Sequence, residues 1–299
     1  MSGMLQPTGE PFVNGIPKLS EHNPSQLDRL HSLQNIDAKD PDAEIDSRLF
    51  VGSVEKGLKV LRAFYHRRRA LSLLDVTALT GMSRSSAQRF LYTLKALGYL
   101  RQDPETRRYT LSPRVLDFGF AYLQNDALVE CASPYLLEAS KRARETVNLT
   151  RLDGPEVIYV SRFPSRNVIS VDVVLGERLP VYCTAPGRIM LAHMDETSAR
   201  QLLARSELVA RTPYTEVDPE RILMLAHEAG QRGYAVSNQE TYVGDISMAA
   251  PVRDDTGAVT AAVNIAVPHP RWSVEAAEEK LAHVVVETAR AISKAIGGV

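Results

Sequence analysis

At 299 residues, with 44% hydrophobic and 24% charged side chains, the chain is long enough for two domains with sizeable cores, which points to a globular protein. No window approaches the roughly 18 unbroken apolar residues of a membrane span, and no basic head precedes an apolar run at the N-terminus, so a membrane protein is excluded and a cytoplasmic one expected. The net charge of −1 is unevenly spread: residues 1–47 carry 3 basic and 8 acidic side chains, residues 48–112 carry 13 and 4, and residues 113–299 carry 19 and 24, which leaves a segment at +9 between two acidic ones.

The first 47 residues, rich in Pro, Asn, Gly, Ser and Asp without sustained periodicity, read as a disordered acidic arm in which "DRLHSLQ" offers at most one short helix. "SVEKGLKVLRAFYH" then places Val54, Leu58, Leu61 and Phe64 near helical spacing, with Ser53 as N-cap and Glu55 in the first turn. "LSLLDVTALTG" predicts a short second helix ending at Gly81, and a third runs from an N-cap at Ser83 to Leu97 before Gly98. Helix, short helix, tight turn, helix is a helix-turn-helix. In "YLRQDPETRRYTLSP", two β-prone pieces flank an Asp103-Pro104-Glu105 turn, which predicts a hairpin wing with Arg107 and Arg108 on its return strand.

"RVLDFGFAYLQN" and "LVECASPYLLEASKRARETV" read as helices, the first a linker over residues 113–125. From residue 126 the character is mixed: "VNLTRLDG", "EVIYVSRF", "VISVDVVLGERLPVY", "GYAVSNQE", "DISMAAPVRD" and "AVTAAVNIAVP" are strand-like. "GRIMLAHM", "ETSARQLLAR", "PERILMLAHEAGQRG" and a closing segment capped near Ser273 are helical. Cys131 and Cys183 lie far apart with no partner at zinc-ligand spacing, so neither a disulfide framework nor a metal site is expected, and no cofactor is called for. Cys131 reads as packing.

On the third helix, Ala87, Phe90, Leu91, Leu94 and Leu97 recur at intervals of three and four, a core stripe that fixes which face looks outward. That outer face presents Ser85, Gln88, Arg89, Tyr92 and Lys95, with Arg84 near the N-terminus. In a helix-turn-helix the early residues of this helix enter the major groove of double-stranded DNA, where Gln pairs with adenine and Arg with guanine. Ser85, Gln88 and Arg89 are therefore the expected groove contacts, with Arg84 either beside them or on phosphate, Lys95 on phosphate or simply in solvent, and the wing residues Arg107 and Arg108 on phosphate. A solvated basic helix face is the competing reading.

With these residues in view, residues 50 to about 297 resemble the IclR family of bacterial transcriptional regulators. The signals are "SVEKGLKVLRAF", "LTGMSRSSAQRFLYTLKALGYL", "LPVYCTAPGRIMLA", "GYAVSNQE" with "GDISMAAPVRDDTG", and "AAVNIAVP", five blocks in order. Within the family, "VISVDVVLGERLPVYCTAPGRIMLAHMD" is most similar to regulators of aromatic-acid catabolism, the protocatechuate, hydroxybenzoate and β-ketoadipate group. A family alternative is a glyoxylate, pyruvate or sugar-acid effector.

The resemblance implies an α+β protein: a winged helix-turn-helix domain over 48–112, the linker helix, and a GAF-like or PAS-like antiparallel-sheet effector domain over 126–299. It implies a homodimer joined through the DNA-binding half, often paired into a homotetramer. It also implies an effector pocket at Val171, Leu179, Thr184, Ala185 and Pro186, then Ser237, Asp245 and Ser247, then Asn264 and Ala266, with Cys183 lining the wall. Amides at the helix N-terminus near "TAPGR" would hold an effector carboxylate, and Gly187 would let backbone approach closely. Pro186 removes one such amide, and Asp245 adds a negative charge that suits a ligand hydroxyl better than a carboxylate, unless it faces solvent. Arg151 and Arg162 are the candidates for compensating positive charge.

An enzyme would need a convergent nucleophile and base or a ligand set for a metal. The seven histidines are scattered, and no two-histidine metal motif, Gly-x-Ser-x-Gly or phosphate loop occurs. A C-terminal half acting only in oligomerisation is the remaining alternative.

Overall fold

The computed structural model describes residues 46–65, 70–167 and 173–298, with the backbone alone for Thr260. The acidic arm through residue 45, the arginines Arg67, Arg68 and Arg69, and Val171 lie outside these residues. The N-terminal unit is built from α1 (Gly52–Arg62), α2 (Leu73–Thr80), α3 (Arg84–Ala96), β1 (Leu100–Gln102) and β2 (Tyr109–Leu111). α2 begins in a reciprocal cap, Ser72 Oγ accepting from the Asp75 amide while the Ser72 amide donates to the Asp75 carboxylate. It ends at Gly81, whose φ of 68° is a conformation only glycine adopts without strain, and Ser83 then caps α3 through the Ser86 amide. The result is a helix-turn-helix followed by an antiparallel hairpin, with Leu71 bridging to Tyr109 as a third short edge.

α1 departs from the expected pattern. It starts at Gly52 from an extended Val51 with no side-chain cap, so Ser53 lies inside the helix. The buried face is Val60, Ala63 and Phe64, while Val54 and Leu58 are exposed. The reason is the approach to α3: Gly57, where a Cβ would sit 3.9 Å from Phe90, turns that side of the helix inward. Leu97 is likewise exposed, one residue past α3, although Ala87, Leu91 and Leu94 are buried as the stripe requires. A short 3₁₀ turn (Pro113–Val115) leads into α4 (Leu116–Asn125), which leaves Leu116, Phe118 and Phe120 largely exposed.

The C-terminal unit carries α5 (Ala127–Ala143), β3 (Thr146–Asp153), β4 (Glu156–Phe163), β5 (Arg178–Pro180), α6 (Ala185–Leu191), α7 (Glu196–Ala204), α8 (Pro219–Arg232), β6 (Ala235–Asn238), β7 (Asp245–Arg253), β8 (Val259–Pro268) and α9 (Val274–Ala295). The strands form one antiparallel sheet in the order β5-β4-β3-β8-β7-β6. Of the segment expected as a strand from residue 168 to 182, Arg178–Pro180 is the described strand. α5 and α9 cover one sheet face, where Val147, Leu149, Ile246, Met248, Val263 and Ile265 are buried against Leu136, Leu281, Val285 and Ile292. Each such side chain is worth roughly 1.5–3 kcal/mol when taken fully out of water. α6, α7 and α8 cover the other face with a second apolar layer around Val157, Leu179, Ile189, Leu202 and Ile222.

Candidate functional site

The outer face of α3 is exposed. Arg84, Ser85, Gln88, Arg89 and Lys95 are all exposed, and at this spacing the first four share one face across the first two turns. Among the described residues neither Arg84, Arg89 nor Arg107 has a carboxylate within ion-pair distance. Lys95 instead reaches the wing, donating to Gln102 Oε1 at 3.1 Å, while Gln102 Nε2 donates to the Arg107 carbonyl at 3.1 Å. This chain fixes the wing beside the helix. Arg107 and Arg108 lie in the turn rather than on the return strand, which begins at Tyr109, because Arg107 takes a positive φ of 58° to close the hairpin. Arg108 folds back, donating to the Ala70 carbonyl at 3.0 Å and pairing with Asp75 at 3.1 Å, so its guanidinium ties the wing to α2. Arg101, exposed on β1, joins Arg107 as an open cation of the wing.

The second site follows from strand alternation. On β3, Val147 and Leu149 face the α5/α9 layer, so Thr146, Asn148 and Thr150 face the other way, and all three are buried. Directly paired residues share a face, so Asn148 stands beside Asn264 on β8 and Arg162 on β4. Ala266 is opposite Ser247, which is opposite Ser237, and Asp245 is opposite Pro268. The structure thus brings together Ser237, Asp245, Ser247, Asn264 and Ala266, with Leu179 on the same side across β4 through its pairing with Val157.

The polar valences of this face are incompletely used. Asn264 Nδ2 donates to Ser247 Oγ at 3.1 Å, but Asn264 Oδ1, both amide atoms of Asn148 and Asp245 Oδ1 are buried without partners. A buried polar atom left unpaired costs about 1–3 kcal/mol, so such a concentration is a place where an added polar partner would be favoured. Tyr159, paired on β4 with Thr150, the next residue along β3 on the Asn148 side, is buried, and burial followed by the nearby Asp245 carboxyl holds its phenol well above the ordinary value. Asn148 and Tyr159 were not among the residues expected from sequence. The signal for Asn148 is present, since an asparagine flanked by apolar residues in "VNL" repeats as "VNI" at Asn264, and asparagine is disfavoured inside strands.

Asp245 is half-buried, with its Oδ1 closed off from water. Burial pushes its carboxyl from 3.8 up to about 7, so it is the protonated form that the fold favours. A raised carboxyl pKa contributes stability while the group is protonated and loses it as pH climbs from about 4 toward 7. Asp245→Asn is therefore expected to flatten the pH dependence of the melting temperature across that window; equal pH slopes for variant and parent would refute it.

The loop into α6 is organised differently from expectation. Thr184 Oγ1 accepts the Gly187 amide at 3.1 Å and donates to the Pro180 carbonyl at 3.0 Å, and Pro186 has no amide to offer. Two of the donors expected to hold a carboxylate are accordingly used or absent. Gly187 does permit a close approach, but to the chain itself: a Cβ there would fall 2.3 Å from the Val181 backbone. Ala185 and Pro186 are buried, and Cys183 is sealed, its thiol raised to about 11 by burial. The Cys183 carbonyl accepts from Ser237 Oγ at 3.1 Å and Thr241 Oγ1 at 2.7 Å.

Behind it, Arg188 pairs with Glu240 at 2.8 Å in the interior, tying α6 to the segment carrying Thr241 and Tyr242. Of the two candidate compensating charges, Arg151 belongs elsewhere: it shares the Leu149 side of β3 and pairs with Asp126 at 3.1 Å. Arg162 shares the Asn148 side.

The two units meet at Tyr65. Tyr65, just beyond α1, donates to the Gly176 carbonyl at 2.7 Å. The adjoining Glu177 carboxylate accepts from Tyr242 OH at 2.9 Å and from the Val174 amide at 3.0 Å. Among the described residues no group of three His, Cys, Asp or Glu side chains could hold a metal ion, and no helix is long and apolar enough to cross a membrane.

Comparison with known proteins is consistent across both units. A family model described as the bacterial transcriptional regulator IclR C-terminal matches residues 120–294, and one described as the IclR helix-turn-helix domain matches residues 53–104. The chain is 37% identical over 242 residues to the Pca regulon regulatory protein of Pseudomonas putida, covering 81% of this chain and 82% of that one. It is 33% identical over 226 residues to the p-hydroxybenzoate hydroxylase transcriptional activator of Acinetobacter baylyi, covering 74% and 83% respectively. The crystal structure of an IclR transcriptional regulator from Alicyclobacillus acidocaldarius superposes with a TM-score of 0.72 at 27% identity, over 83% of this chain and 100% of that one.

Proposed function

Since the chain belongs to the IclR family of bacterial transcriptional regulators, and is a DNA-binding regulator that responds to a small molecule, we propose that its effector is an aromatic carboxylate held against the polar face of the sheet. The observation that carries this reading is Asn148, a fully buried amide with neither polar atom satisfied, flanked by Asn264 and Arg162. Arg162 with the two amides suits a carboxylate, and Asp245 with Tyr159 suits a hydroxyl at the other end of a flat apolar body lying along Leu179 and Val157. The name of the Acinetobacter relative, which concerns p-hydroxybenzoate hydroxylase, supports the same class.

In this proposal residues 48–112 bind operator DNA, 113–125 link, 126–299 bind the effector, and 1–47 form an acidic arm; the protein works in the cytoplasm. Arg84, Ser85, Gln88 and Arg89 enter the major groove, and Arg107 contacts phosphate. Arg108, being internally paired, sets the wing angle. The exposed Val54 and Leu58 of α1 and the exposed Leu116, Phe118 and Phe120 of α4 support a homodimer joined through this half, which a second pairing would make a homotetramer.

Gel-shift titration on the protein's own upstream promoter DNA tests the division of labour. Arg89→Ala or Gln88→Ala should weaken operator binding about tenfold to hundredfold with relaxed base preference, whereas Arg107→Ala should weaken all sequences alike and lower the salt slope by about one. No shift by the parent at low salt, or an unaltered Arg89→Ala variant, sinks the reading.

A further inference from the structure

A second concave site lies on the effector-binding unit, at the opposite end of β7 from Asp245. It is a cleft of about 560 Å³ between the end of α8, the end of β7 and the last turns of α9. Among the described residues its lining includes Arg232, Arg253, Arg290, Lys294 and His193, and no Asp or Glu side chain. That is a local departure, because residues 113–299 carry 24 acidic side chains against 19 basic ones. We infer that this cleft binds a compact multivalent anion, phosphate-bearing or polycarboxylate, as a ligand separate from the one on the polar sheet face.

The cations converge from two elements and are held open. Arg253 is fixed in place: its amide donates to Ser293 Oγ at 2.9 Å, its Nη1 donates to the Gly257 carbonyl at 3.0 Å, and its Nη2 lies 3.2 and 3.3 Å from the two ring nitrogens of His193. A guanidinium anchored in this way keeps remaining N–H groups for an oxyanion and loses little freedom on binding it. Arg290 and Lys294 are exposed and stand four residues apart on one helix face, a like-charge pair that disfavours the helix by a few tenths of a kcal/mol unless an anion sits between them. Lys294 alone would be accounted for by the negative end of α9. Arg290, a turn earlier, and Arg253, on a strand, are not.

Among the described residues none of Arg253, Arg290 and Lys294 pairs with a carboxylate within 4 Å, in contrast to Arg232 on the same cleft, which is taken up by Glu278. Gly233, whose added Cβ would meet nothing within 4 Å, and the buried Ala289 at the floor leave room for a ligand of a few heavy-atom groups.

Thermal-shift titration of the full chain with sodium phosphate, sodium pyrophosphate and sodium citrate, each against sodium chloride at matched ionic strength, tests this. At least one multivalent anion should raise the melting temperature saturably at millimolar concentration or below, by mass action on the folded state. The phosphate and citrate arms separate the two chemical sources. In Arg290→Gln/Lys294→Gln the half-saturating concentration should rise at least tenfold, with each single variant part of the way, while Asn264→Leu should respond like the parent. A chloride control that reproduces the shift overturns the inference. So does a double variant that responds normally, or an Asn264→Leu variant that loses the response.

Discussion

Replacing Asn148 by leucine should raise the unfolding midpoint and, at the same time, abolish the effector's influence on operator binding. The first effect follows from bonding arithmetic. Both amide atoms of Asn148 are buried and unpartnered, so the parent carries a desolvation cost of about 1–3 kcal/mol per group that an apolar side chain of similar volume removes. For a unit of this size 1 kcal/mol corresponds to about 2–4 °C. The second effect follows from position, because Asn148 stands between Arg162 and Asn264 on the sheet face where the effector is proposed to lie. Urea or thermal unfolding gives the first quantity, and gel shift with and without the aromatic acid gives the second. A variant that is less stable than the parent and still responds to ligand would place the effector elsewhere.

The Arg188–Glu240 pair gives the other large effect, with the opposite sign. Arg188→Met leaves the Glu240 carboxylate in the interior, where its side chain is 10% exposed, without its guanidinium, and loss of one partner of a buried pair costs about 3–5 kcal/mol. Arg188→Met/Glu240→Leu should recover most of that loss, because the two apolar side chains leave no uncompensated charge. The segment held by this pair also receives Thr212 Oγ1 at the Gln239 carbonyl and Thr215 Oγ1 at the Glu240 carbonyl. The single variant should therefore loosen the wall that carries Thr241 and Tyr242 and weaken effector binding. A single variant within about 1 kcal/mol of the parent, or a double variant no better than the single, would show that the pair is not a determinant of stability.

How far the sequence could be read depends on which interactions are local. Ser72, Gly81 and Ser83 act within a turn of their own position, so the boundaries of α2 and α3 follow from residue type, and Ala87, Leu91 and Leu94 reveal the buried face of α3 by period alone. On α1 the expected stripe holds at Leu61 and Phe64 and fails at Val54 and Leu58, because the inward side there is chosen by a partner helix: Gly57 meeting Phe90 is a tertiary fact that two apolar but exposed residues do not announce. The same distinction holds at the sites. Gln88 and Arg89 were legible because helix-turn-helix geometry projects them outward. Arg108 was not, since its partner Asp75 lies 33 residues away. On the sheet, the family resemblance pointed to Ser247 and Asn264, whereas Asn148, hinted at by the repeated "VN" pair, is put beside Asn264 only when β3 is registered against β8.

The hydrogen bond from Tyr65 to Gly176 has a thermodynamic corollary. It connects the end of α1 to the residue beside Glu177, whose carboxylate holds Tyr242, so with the effector on the proposed sheet face the seating of the first helix and the ligand-side loop would share one equilibrium. Linkage in such an equilibrium is reciprocal: whatever factor the small molecule imposes on operator affinity, the operator imposes on the small molecule. Regulator sitting on DNA would then sample its metabolite with a different sensitivity from regulator free in solution, and the number of operator sites in a cell would help to set the concentration at which the switch turns over.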